Sequence, residues 1–154
     1  MADSTTNEPL PSSLPQINIK VCGNGFGSED EARELANYVR AFAHVLGSHW
    51  PLDRLDGISI ADDYAGELAS VDRGFQATGP LTRSDDYAQG VAMAVPVKRD
   101  GVVKSHLVLY AGTMRPLLAG KGAEFETAQY MLAHELAHVA DVYLTDEAMP
   151  GLLL

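Results

Sequence analysis

Cysteine is nearly absent: Cys22 is the only one in 154 residues, so no intrachain disulfide can form. Basic residues are scarce too, 11 against 21 acidic for a formal charge of −10, and they are scattered along the chain. Such a field repels phosphate backbones and anionic lipid, which argues against a nucleic-acid partner. No apolar run approaches the roughly 20 residues that span a bilayer, so a membrane location is excluded. Residues 1–20 lack a basic segment followed by an apolar one. Together with the lone cysteine, this predicts a cytoplasmic protein. Internal repeats are also missing. What remains is an ordinary globular composition, 46% hydrophobic and 21% charged, with a length that fits one domain.

Residues 1–15, "MADSTTNEPLPSSLP", hold Ser, Thr and Pro with almost nothing to bury, and are expected to be a disordered tail before a domain over 16–154. In "QINIKVC", Ile17, Ile19 and Val21 alternate with polar residues, the period of a half-buried strand. Ser28 and Glu31 form an S-x-x-E capping box, after which Leu35, Val39, Phe42 and Leu46 recur at helical spacing before Gly47. "GISIADD" reads as a second strand through Ile58 and Ile60. Residues 66–90, rich in Gly, Asp and Ser, read mostly as loop. "VAMAVPVK" and "VVKSHLVLY" flank Arg99-Asp100-Gly101 and predict a hairpin, with Pro96 placing its first strand at a sheet edge. A last helix runs from Ala123 to about Tyr143, its apolar stripe being Phe125, Ala128, Leu132, Leu136, Val139 and Tyr143. The order is strand, helix, strand, hairpin, helix, which predicts a single α+β domain.

That helix contains "AHELAHVAD", residues 133–141, and within it HExxH. Residues four apart project from one side of a helix, so His134 and His138 can place two imidazole nitrogens at about 2 Å from one zinc ion. Glu135, rotated by about 100°, stands beside the metal, where its carboxylate can take a proton from an activated water and pass it to a leaving amine. The small residues Ala133 and Ala137 leave room around the histidines. The predicted chemistry is zinc-dependent hydrolysis of a peptide bond in a protein or peptide substrate. The plain alternative is a surface helix whose two histidines are merely solvated or packed.

These residues resemble the zincin metallopeptidases, whose signature is HExxH on an active-site helix. The resemblance extends loosely over residues 16–145. It implies a mixed sheet packed against a backing helix and the active-site helix, with an edge strand to which substrate adds by backbone pairing. The metzincin branch places Gly and a further His after the second histidine, where this sequence has Asp141 and Leu144, so it is not a metzincin. The gluzincin branch takes a Glu from a later helix, and only Asp146 and Glu147 remain downstream. Asp141 is the first choice for a third zinc ligand, or for a residue orienting His138. Asp146 or Glu147 folding back after the helix, or a ligand beyond Leu154, are the other choices.

The remaining candidates are weaker. His44, His49 and His106 are each isolated and read as packed or surface residues. Tyr110, Tyr130 and Tyr143 are candidate oxyanion donors, with a core or rim role as the simpler reading. "GNGFG" lies one position out of register for a dinucleotide fingerprint, and Glu29, Asp30 and Glu31 at that helix start repel phosphate, so it reads as a tight turn. From another class, a non-catalytic zincin-like domain that binds a protein partner fits the edge strand and acidic surface.

Overall fold

Strand β1, Ile19–Cys22, forms where the apolar residues alternate, and Ile17, Ile19 and Val21 all pack on the core. The computed structural model describes residues 17–22, 28–72 and 92–150. The expected tail at 1–15, the glycine turn at 23–27, most of the expected loop at 73–90 and the last four residues lie outside these. Helix α1, Glu29–Gly47, starts where the capping box predicts: Ser28 is extended, and its Oγ accepts the Glu31 N–H at 3.1 Å. Leu35, Val39 and Ala43 are its buried face. Strand β2, Leu55–Ala61, is longer than its two isoleucines suggest, and of its residues only Asp56 is not buried. Covered on both sides, such a strand has no solvent face.

Strands β3, Ala92–Arg99, and β4, Val102–Tyr110, form the expected hairpin. Its turn is Asp100-Gly101, with φ of 52° and 80°, the left-handed pair that matches strand twist and that an Asp-Gly sequence accepts. The sheet order is β1-β2-β4-β3. The first three are parallel, and β3 runs antiparallel at the edge, where Pro96 lies opposite Ser105. Pro96 is tolerated because an edge strand needs no N–H on its outer side.

Two elements depart from the sequence reading. Helix α2, Tyr64–Asp72, occupies the start of the stretch read as loop. Its signal was present but short: Tyr64, Leu68 and Val71 are spaced by four and three, and Asp63 Oδ1 accepts the Gly66 N–H at 3.0 Å as a cap. A short helix, α3 (Ala111–Met114), leads into a 3-10 turn at Arg115–Ala119, which buries Met114 and Leu117. The last helix, α4, spans Ala123–Ala148, one turn beyond its predicted end.

Alternation along the strands sorts the core into two layers. Ile58, Ile60, Leu107 and Leu109 face α1 and α4, meeting Leu132, Leu136 and Val139. Val95, Val97 and Val108 face the opposite side, against Tyr64 and Leu68 of α2. The domain is therefore α+β, with a mixed sheet between α2 and the α1/α4 pair. Among the described residues no helix is long and apolar enough to cross a membrane.

The α2 face also carries a chain of polar side chains that joins every strand. Lys20 meets Glu67 at 3.0 Å, and Ser59 Oγ donates to Glu67 at 2.7 Å. Ser59 Oγ also meets His106 Nε2 at 2.8 Å, His106 Nδ1 meets Asp56 Oδ2 at 2.8 Å, and Arg99 Nε donates to Asp56 Oδ1 at 2.9 Å. Gly57 lets the His106 ring approach, since a Cβ there would stand 3.2 Å from the Asn18 carbonyl oxygen and 3.3 Å from the ring. The His106 hydrogen bond and the Arg99 guanidinium, working against burial, hold the Asp56 carboxyl down from 3.8 to about 2. Asp56 thus contributes stability that is complete above about pH 4 and is lost as pH falls toward 2. Urea midpoints measured across that window are expected to fall with pH in the wild type and to fall less steeply in Asp56→Asn. Equal slopes would remove Asp56 from the account.

Candidate metal centre

The middle of α4 lies on the core face through Leu132, Leu136 and Val139, so the 3.6-residue period turns His134, His138 and Asp141 outward. One donor atom from each of His134, Glu135 and His138 lies within 4.8 Å of the others. The Nε2 atoms of the two imidazoles are in hydrogen-bond contact at 3.3 Å, with the rings at 87°. Two nitrogens each 2.0–2.1 Å from a tetrahedral zinc would stand about 3.3–3.4 Å apart. The separation of the two nitrogens is thus the one that two imidazole ligands of a single ion would have.

Glu135 differs from both histidines in being buried, at 8% exposure. It lies against the edge strand, where its carboxylate accepts the Ala94 N–H. Burial pushes its carboxyl above the ordinary range, while His138, His134 and the Ala94 N–H pull the other way. A glutamate held upward in this manner is better matched to taking and returning a proton near neutral pH than an exposed one.

Two hollows open on either side of His138 and Asp141. One, of about 300 Å³, lies toward the edge strand between Met93, Ala94, Pro96 and Glu135. The other, of about 440 Å³, lies toward the loop after α1 and is bounded by Trp50, Pro51, Ala137 and Leu144. Asp141 lines both hollows but is not in the three-residue cluster. On this unbroken helix it lies seven residues past His134, about 10 Å along the axis, and about 4.5 Å past His138.

The helix also decides against folding back. Because α4 continues to Ala148, neither Asp146 nor Glu147 returns toward the histidines. Asp146 is instead bound by Arg54 Nη2 at 2.6 Å, and the same guanidinium lies 5.8 Å from the centre of the Tyr143 ring. Arg54 Nη1 reaches the Val103 carbonyl at 3.4 Å, tying the end of α4 to the sheet. With these side chains 16% and 24% exposed, Arg54→Ala is expected to cost about 1–3 kcal/mol in urea unfolding and to leave zinc binding intact. A loss of zinc would show that Asp146 acts at the metal after all.

The three tyrosines named as oxyanion donors do not converge. Tyr130 is 70% exposed, with its ring 6.2 Å from that of His134; Tyr143 lies beside Arg54; Tyr110 ends β4 at 38% exposure. The tyrosine that senses Glu135 is Tyr64 of α2, whose buried hydroxyl has no hydrogen-bond partner among the described residues. Burial and the Glu135 charge push it up to about 12. Only the weak helical spacing of α2 could have pointed to it. His44 and His49 do not join the cluster, and His106 belongs to the polar chain on the far face. The order Asp56, His106, Ser59 imitates a nucleophilic relay, but Ser59 has no exposed surface and gives its proton to Glu67, so it cannot attack a substrate.

No family model, curated protein or solved structure matches the chain.

Proposed function

We propose that this domain is a zinc-dependent peptidase with a zincin-like arrangement, hydrolysing peptide bonds in a protein or peptide. The observation that carries the reading is the pair of Nε2 atoms 3.3 Å apart with the buried carboxylate of Glu135 beside them. Zinc bound there would supply a lowered water pKa and polarisation of a carbonyl. His134 and His138 would hold the ion. Asp141, one turn on, would serve as third ligand or orient His138. Glu135, fixed from the edge-strand side by the Ala94 N–H, accepts the proton and delivers it to the leaving nitrogen.

One observation favours a second reading, a non-catalytic domain that binds a protein partner. Catalytic zinc sites use three protein ligands, and among the described residues the cluster holds two histidines with Glu135 as its only carboxylate.

The first test is metal content. Wild-type protein purified without added zinc is expected to carry about one zinc per chain, and His138→Ala to carry none. Asp141→Asn is expected to weaken zinc binding about 10–100-fold if it orients His138, and more if it is a ligand. A metal-free wild type would remove the proposal.

A further inference from the structure

Resting on that reading, we infer that the hollow beside Trp50 is a side-chain pocket that selects a large apolar residue of the peptide, next to the bond that is cut. Its walls are Trp50, Pro51, Ala137, Ala140 and Leu144, apolar throughout. Its polar edge is shared with the candidate metal centre, through His134, His138 and Asp141. A cavity that is mostly apolar, with a few polar groups gathered on one side, is the usual form of a site that orients its ligand.

Position argues for a side chain rather than a separate small ligand. The hollows toward β3 and toward Trp50 meet at His138 and Asp141, so a peptide crossing α4 there leaves one residue on each side of the ridge. The β3 side contains Glu135 and Ser105 and has the smaller volume, about 300 Å³. The Trp50 side, at about 440 Å³, has space for an aromatic or branched aliphatic group. Leu144 remains 54% exposed on its rim, an apolar surface that such a group would cover. The Asp141 carboxylate at the junction disfavours an acidic residue by like-charge repulsion.

Trp50 is the only tryptophan in the chain, so its emission reports on the pocket directly. Zinc-loaded protein is titrated with N-acetyl-phenylalaninamide, using the alanine and glutamate analogues as controls. A saturable change is expected with the phenylalanine compound alone. Ala137→Phe, a substitution at an exposed position that fills the pocket, is expected to abolish it. In cleavage assays with a peptide pair differing only by Phe or Ala beside the bond, the preference in kcat/KM for Phe is expected to fall about tenfold or more in Ala137→Phe. Trp50→Leu, which strips one wall without filling the space, reports the same preference should Ala137→Phe fail to fold. The same non-saturating response to all three compounds would overturn the pocket.

Zinc content and cleavage measured on the same samples keep the two readings apart. Zinc-dependent cleavage without preference for Phe over Ala removes the pocket and keeps the peptidase. A phenylalanine-specific signal from a protein that binds zinc and cleaves nothing removes the peptidase, and with it the placement beside a scissile bond.

Discussion

Replacing Glu135 with Gln is expected to leave zinc on the protein while peptide hydrolysis falls by about 10²–10⁴-fold. The exchange preserves shape at a position only 8% exposed, and the Gln carbonyl oxygen can still accept the Ala94 N–H. What it removes is the basic carboxylate. Zinc content and kcat/KM measured on the same preparation separate the outcomes. Unchanged hydrolysis with zinc bound would show that another group takes the proton. A zinc-bound wild type that hydrolyses no peptide would favour the binding module.

Truncating Leu132 to Ala is expected to cost about 2–5 kcal/mol, read as a lower urea midpoint at unchanged slope. Leu132 has no exposed surface and packs from α4 onto the sheet, within the same cluster as Leu107, Leu109 and Leu136. Little else can fill its place, because a close-packed interior relaxes only partly around a lost side chain. The histidines stand half a turn and more away on the outer face, so zinc stoichiometry of the folded protein is expected to stay near one. A cost below about 1 kcal/mol would mean that α4 is not seated on the sheet by this residue.

Where the information is local, the sequence was legible. Ser28 and Glu31 mark the start of α1 because a cap is made by residues three apart. Asp100-Gly101 marks the hairpin because the two left-handed residues it needs are adjacent. The stripe from Ala128 to Val139 places the histidines outward because a helix repeats every 3.6 residues. Helix α2 was harder: nine residues with Gly66 and two acidic side chains carry little periodic signal, and packing on Val95 and Val108 supplies what propensity does not.

By itself, then, the sequence determined the α+β class, the hairpin, the outward face of α4 and the pair His134 and His138, all set by contacts within a few residues. Only the tertiary structure decided that Glu135 is buried against Ala94, that Asp146 belongs to Arg54, and that His106 joins Ser59 to Asp56. It alone placed Trp50 beside the histidines. Each of these joins residues from separate elements, and which partner a charge or ring meets across such a distance depends on strand order and helix seating, which no local pattern encodes.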